Sequence, residues 1–304
     1  MKYNIIGDIH GRTSWKKLVK DNYINIFVGD YFSPYEYISF DEQRQNFLDI
    51  INYKIAYPET ILLIGNHDED HWHIKEKYSR FDVINLKQIN ELFDEFKDLF
   101  QIAYATKDNQ VLISHAGVSI VWYIKYKYGE LIEFRDISKE YADVISIDDA
   151  IKDIEMHYPL DDQIFYWDKK YYLYKDNLIM PINVNPKEIM DFINDLWKSK
   201  NYNAFNFRSN CDYYDCYGDS LQHGPIWIRP LALLKVNIFR GTNFIQVVGH
   251  SQVEHPQAFN SDVKELINVN NMEIKDNNII LVDCLGYTEE SVIYENKNFN
   301  VNIA

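Results

Sequence analysis

Seven side chains of metal-binding or acid–base type stand directly after apolar runs in this chain: Asp8, His10, Asp30, Asn66, His67, His115 and His250. The first two lie in Gly7-Asp8-Ile9-His10-Gly11. An Asp and a His two residues apart can turn an oxygen and a nitrogen toward one point, and flanking glycines let the backbone turn sharply and approach a ligand. Taken singly, such a piece is more often a helix cap beside a turn histidine. It is followed, however, by Gly29-Asp30-Tyr31, Gly65-Asn66-His67-Asp68, His115-Ala116-Gly117 and Gly249-His250. Carboxylates, imidazoles and an amide oxygen, with no thiolate, suit Mn, Fe or Zn and argue against a structural zinc site. Two such ions about 3.5–4 Å apart need a bridging carboxylate and open positions for water, and suit in-line attack on phosphorus by a hydroxide held between them.

The elements that must position these groups are legible as short apolar runs. Tyr3–Ile6, Ile24–Val28, Thr60–Ile64 and Val111–Ser114 read as strands, each ending in one of the polar clusters. Between them, Thr13 or Ser14 can cap a helix through Lys20. Apolar residues at helical spacing mark 41–57 (Phe47, Ile50, Ile51, Ile55), closed by Pro58, and 89–100 (Ile89, Leu92, Phe93, Phe96, Leu99, Phe100). Alternating strands and helices predict an α/β fold, in which sites gather beyond the carboxyl ends of the strands. Asn243–Val248 leads in the same way into Gly249-His250, and 278–283 and 291–294 read as closing strands of a second sheet. From about Val118 to Ile228 no strand-then-cluster unit occurs. This stretch carries aromatic patches (Trp122-Tyr123, Tyr171-Tyr172-Leu173-Tyr174) and a clear helix after Pro186 with Ile189, Phe192, Ile193, Leu196 and Trp197 on one face. It reads as a mostly helical, cap-like insertion (118–228) within a single domain of residues 1–304.

Composition narrows the partners. The chain has 304 residues, 46% hydrophobic and 25% charged, an ordinary balance for a protein with a sizeable core. Its formal charge of −15 disfavours tight non-specific binding to nucleic acid, so a phosphate site must draw positive charge from metals or a few Arg. Cys211, Cys216 and Cys284 are too few for a disulfide framework and complete no zinc site. No apolar run reaches membrane-spanning length, and the chemistry begins too near the N-terminus for a signal peptide; a cytoplasmic location is expected.

The five short motifs, in this order, resemble those of the calcineurin-like metallophosphoesterases, and within them the phosphoprotein-phosphatase-type branch that also holds bacterial diadenosine tetraphosphatases. The resemblance covers roughly residues 1–120 and 228–304. It implies an αββα two-sheet sandwich with the site at one edge. It also implies that Asp8, His10 and Asp30 hold a first metal, that Asp30 bridges to a second held by Asn66, His115 and His250, and that His67 protonates the leaving oxygen. The family's second motif ends in Asp-Arg-Gly, but here Gly29-Asp30-Tyr31-Phe32 runs on into Ser33-Pro34-Tyr35. The Asp that orients the catalytic His is thus Ser33, and the Arg that clamps phosphate is Pro34. Asp68 or Asp70 is the candidate to orient His67. Trp227-Ile228-Arg229 resembles a Trp-x-Arg stretch of bacterial and phage members, which nominates Arg229 as the clamp, with Arg80 and Arg12 behind it; a planar guanidinium bonds two phosphate oxygens at once.

The sequence therefore predicts a metal-dependent phosphatase, Mn favoured over Fe or Zn, in which a metal-bridging hydroxide hydrolyses a phosphomonoester on a phosphoserine or phosphothreonine peptide or a small phosphoester. A nucleotide or dinucleoside polyphosphate hydrolase is the alternative enzyme. A non-catalytic metal-binding recognition module is the alternative from another class. His71 and His73 read as solvated or stacking residues; His223 would reach the site only if the loop before Trp227 does.

Overall fold

The computed structural model describes residues 1–74, 79–129, 132–211, 215, 217–260, 265–269, 272–273 and 278–304. Cys216 lies outside them. Six strands carry the candidate site: β1 (Lys2–Ile6), β2 (Ile24–Phe27), β3 (Ile61–Leu63), β4 (Val111–Ser114), β5 (Ile245–Val248) and β6 (Asn278–Leu281). β1, β2 and β3 run parallel in a seven-stranded sheet that Phe100–Gln101 extends on one side and Glu290–Glu295, Asn298–Ile303 and Met272–Glu273 on the other. β5 lies between β4 and β6, parallel to both, in a six-stranded sheet completed by Ala103–Ala105, Gln257–Asn260 and Glu265–Asn268.

The period of two along each strand builds the layers. Ile5, Ile26 and Leu63 of the first sheet meet Val111, Ile113, Ile245, Val247 and Ile280 of the second in one buried cluster between the sheets. The alternate residues, Ile6, Phe27 and Leu62, face outward onto Trp15, Leu18, Phe47, Ile50 and Ile51. Leu112, Val248 and Ile279 likewise belong to the core that holds Ile189 and Ile193. This is a mixed α/β, two-sheet fold with helices outside.

The helix Phe40–Ala56 starts one residue before the predicted stretch because Ser39 and Glu42 form a reciprocal capping box. The predicted helix through Lys20 is only one turn, Trp15–Leu18, and Ser14 makes no side-chain cap bond. The stripe 89–100 is divided: the helix is Leu86–Phe96, and Phe100 opens a strand.

One expectation is corrected. The strands near 278–283 and 291–294 do not close the same sheet. β6 pairs with β5, whereas Glu290–Glu295 crosses over and pairs antiparallel with β1, with Tyr3 opposite Tyr294 and Ile5 opposite Val292. Both strands carry apolar residues at adjacent positions (Ile279-Ile280-Leu281 and Val292-Ile293-Tyr294), so local pattern does not distinguish their partners.

Region 118–228 contains the helices Ile120–Tyr128, Ile147–His157 and Pro186–Lys198. It also contains a four-stranded sheet of Glu133–Asp136, Gln163–Trp167, Lys170–Lys175 and Leu178–Ile182, in which the Tyr-rich patch is a strand. One face of that sheet packs Phe165, Trp167 and Tyr174 on Ile147, Ile151 and Ile154; the other turns Ile164, Tyr166, Tyr171 and Leu173 to the main core. Asn194 of the helix Pro186–Lys198 accepts from the backbone N–H groups of Ile102 and Ala103 at 3.0 and 3.1 Å, pinning this helix to the six-stranded sheet. Among the described residues no helix is long and apolar enough to cross a membrane.

Candidate metal centre

The ends of β1 to β5 converge, and backbone hydrogen bonds between the loops that follow them hold the convergence. His10 N donates to Asp30 O at 2.6 Å, Gly249 N to His115 O at 2.7 Å, and His67 N to the Asp30 carboxylate at 2.9 Å. His250 N donates to Asp8 Oδ2 at 3.0 Å. Glycine is required at two of these contacts. A Cβ at Gly65 would lie 2.1 Å from Asp30 Oδ1, and one at Gly249 would lie 2.1 Å from Asp8 Oδ1. His10, Asp30 and His250 themselves adopt left-handed backbone (φ 45°, 53° and 60°), as do Ser33 and Arg80 (63° and 60°). For L residues this costs roughly 1–2 kcal/mol each, and such strain gathers where a fold must aim side chains at a site.

All six candidate ligands are brought together and buried. Ligand atoms of Asp8, His10 and Asp30 lie within 4.8 Å of one another. Asp30 Oδ2 stands 3.7 Å from His10 Nε2 on one side and 3.6 Å from His115 Nε2 on the other. Beyond His115, Asn66 Oδ1 lies 2.9 Å from His115 Nε2 and 2.9 Å from His250 Nδ1. A carboxylate between an Asp–His group and an Asn–His–His group has the connectivity of a bridge.

The donor chemistry tests the fit to a metal. His10 Nδ1 lies 3.1 Å from Phe32 O and His115 Nδ1 lies 2.9 Å from Val28 O. A carbonyl only accepts, so each neutral ring carries its proton on Nδ1 and turns the Nε2 lone pair into the cluster. His115 Nε2 therefore faces Asn66 Oδ1 lone pair to lone pair, an arrangement that a cation satisfies and a hydrogen bond does not. Charge points the same way. Burial pushes His10 and His115 down to about 3 and holds His250 well below the ordinary imidazole range. Burial, reinforced by neighbouring carboxylates, raises Asp8 and Asp30 well above the usual carboxylate range. Without cations the pocket opposes both anionic carboxylates and cationic imidazoles; divalent ions reverse the first tendency and use the neutral rings. The residues present fit two divalent metals.

His67 is buried beside this cluster, its ring 5.7 Å from that of His10. Its Nε2 accepts from Arg80 Nη2 at 2.7 Å, since a guanidinium can only donate. Its Nδ1 and the Ser33 hydroxyl are both buried without a hydrogen-bond partner among the described residues. Among the described residues no carboxylate thus replaces the one that the family motif would supply at position 33. Asp68 does not bond to the ring: its carboxylate accepts backbone N–H groups of Asp30, Tyr31 and Gly65 at 2.7–2.9 Å, tying two site loops together.

The three arginines differ. Arg12 is held by Glu36 through two 2.8 Å bonds. Arg229 donates to Tyr217 O, His250 O and Ser251 Oγ at 3.1, 2.8 and 3.2 Å. Arg80 donates to Ser33 O and His67, and its guanidinium lies 3.5 Å above the Tyr35 ring. Arg80 and Arg229 both line a cavity of about 730 Å³ whose floor is Asp30, Asn66, His67 and His250. Among the described residues of region 118–228, Phe207, Tyr217, Asp219 and Trp227 reach this cavity. His223 is turned away into a 2.8 Å pair with Asp215. His71 and His73 stack, on Phe81 and Tyr202 respectively, rather than joining the cluster.

Local pattern did not single out Asp283. It follows β6 as Asp8 follows β1, buried among the same groups. The strand-then-polar signal applied to the other sites was present in Leu281-Val282-Asp283. Arg80, nominated behind Arg229 in the sequence, gained its contact with His67 only in three dimensions.

The family model described as calcineurin-like phosphoesterase matches residues 1–214, well over half of the chain. The chain is also similar to a solved Saccharomyces cerevisiae protein serine/threonine phosphatase described as having similarity to human phosphatase PP5. That similarity is 11% in sequence, spans 99% of this chain and 79% of the other, and has a TM-score of 0.45. No curated protein matches.

Proposed function

This chain belongs to the calcineurin-like phosphoesterase family, and we propose that it is a two-metal phosphatase of the phosphoprotein-phosphatase type acting on phosphomonoesters. The observation that carries the reading is Asp30, whose Oδ2 stands between His10 and His115 and so between two ligand groups. Asp8, His10 and Asp30 would hold one ion and Asp30, Asn66, His115 and His250 the other. Bound divalent ions would supply a nucleophile at neutral pH and take up charge on the phosphoryl oxygens; Mn is the favoured ion.

The chain's own side chains do the rest. Arg80 and Arg229 face the cavity above the ligands and bind the phosphate dianion. A phosphate competes better than a neutral imidazole for a guanidinium, so substrate draws Arg80 from His67 and frees Nε2 to take up a proton from solvent and pass it to the leaving oxygen. Asp68 is a positioning residue that holds Asp30 and Tyr31 over Gly65. The end of the 118–228 insertion walls the cavity through Phe207, Tyr217 and Trp227, and such a wall suits a side-chain phosphate on a peptide or a small phosphoester. A cytoplasmic setting accords with three cysteines in 304 residues, too few for a disulfide framework.

The test is hydrolysis of p-nitrophenyl phosphate by the Mn-loaded protein and by Asp30→Asn and His67→Asn. Loss of turnover in both variants is expected. No turnover with any divalent metal would leave a metal-binding recognition module. A panel of phosphopeptides, nucleotides and dinucleoside polyphosphates then separates the phosphatase from the nucleotide hydrolase.

A further inference from the structure

Asp283 stands just beyond β6, 1% exposed. Its carboxyl lies close to that of Asp8, and among the described residues neither of its oxygens has a hydrogen-bond partner. Ionised carboxylates only accept, so two in contact need a shared proton or a shared cation. Among the described residues no basic group supplies one through a bond. Arg12, Arg229 and Arg80 attract Asp283 through space, but they donate to Glu36, to Tyr217, His250 and Ser251, and to Ser33 and His67. The juxtaposition is built into the fold. A Cβ at Gly7 would lie 2.1 Å from Val282 O and 3.1 Å from Asp283 Cα, so the glycine before Asp8 is what admits residues 282–283. Val253 N fixes the backbone carbonyl of Asp283 at 2.9 Å. A buried carboxylate with both oxygens unpartnered, pressed against a candidate ligand, is the arrangement of a group awaiting a cation.

We propose that Asp283 is a seventh member of the metal centre, an additional carboxylate facing the ion held at Asp8 and raising its affinity. The inference rests on the reading of Asp8 as a ligand. It also accounts for the placement of a fourth acid beside Asp8, Asp30 and Asp68 in one buried site.

The experiment is calorimetric titration of the metal-free full chain with MnCl₂, for wild type, Asp283→Asn and Asp283→Ser, with the melting temperature of each read with and without Mn. Removing a carboxylate that supports a metal site typically weakens binding about 10- to 100-fold. That loss is expected at one of two sites in both variants. Their metal-free melting temperatures should be no lower than wild type, because a desolvated, unpaired acid has been removed. The Mn-induced rise in melting temperature should shrink. Unchanged Mn affinity and stoichiometry in a folded variant overturns the proposal, and a lower metal-free melting temperature with unchanged affinity reassigns Asp283 to a structural role. Failure of the wild type to bind Mn is a different result: it removes the metal reading of the whole site and this inference with it.

Discussion

Replacing Arg80 by Ala should cost more transition-state binding than replacing Arg229, although position 229 carries the motif likeness. The geometry sets the size. Arg229 spends Nε and Nη1 on Tyr217, His250 and Ser251, which fixes it as part of the wall. Arg80 has the neutral His67 and one carbonyl as partners and rests on the face of Tyr35, so its fork is oriented and exchangeable. A hydrogen bond to a charged group contributes about 1.5–3 kcal/mol, and the bond surrendered to His67 about 1 kcal/mol. A two-point contact with phosphate, less that loss, comes to about 2–5 kcal/mol, or roughly 30- to 5,000-fold in kcat/KM. The assay is kcat/KM for p-nitrophenyl phosphate with Mn, together with inhibition by inorganic phosphate, for Arg80→Ala, Arg80→Lys and Arg229→Ala. Lysine keeps the charge and loses the fork, so it should fall between wild type and alanine. An Arg80→Ala enzyme within threefold of wild type, or phosphate inhibition weakened more by Arg229→Ala, would refute the assignment.

Two further outcomes follow from groups around the site. His71 Nδ1 lies 2.6 Å from His67 O and its Nε2 accepts the Asp82 N–H at 2.9 Å, so the ring must stay neutral to hold the turn that carries Arg80. Burial lowers its pKa below the ordinary 6.5. The unfolded chain then binds the proton first, and stability is lost as pH falls from 6.5 toward the depressed folded value. Denaturant titrations between pH 7 and 5 should show a slope shallower in His71→Gln than in wild type by up to about 1.4 kcal/mol per pH unit; equal slopes would discount the ring. In β1, Asn4 donates to Leu18 O and Asn25 at 3.0 and 2.7 Å and accepts from Ser291 at 2.7 Å. Asn4→Ala should therefore cost about 2–4 kcal/mol by urea unfolding, since it strands buried partners in both neighbouring strands. A loss below 0.5 kcal/mol would show that water replaces it.

The strand runs ending at Asp8, Asp30, Asn66 and His115 are written in local apolar pattern, and a β-strand's end is a local property. So are the glycines at 65 and 249, whose neighbours leave no room for a Cβ. The order of those polar clusters sufficed to nominate six side chains that the fold does bring within reach of one another. Local pattern has no access to pairing between distant segments. It did not separate Glu290–Glu295, which joins β1, from β6, which joins β5, because both carry apolar residues at adjacent positions. It did not anticipate the four-stranded sheet within 118–228, although Gln163–Trp167 and Lys170–Lys175 are rich in the aromatic residues that strands favour. Nor does it say which acid is spoken for. Asp68 adjoins His67 in the chain yet serves three backbone N–H groups, whereas Asp283, 275 residues from Asp8 by difference of their positions, lies against it. Residue type decides what a side chain can bond; only the closed structure decides which partners remain when the backbone has taken its share.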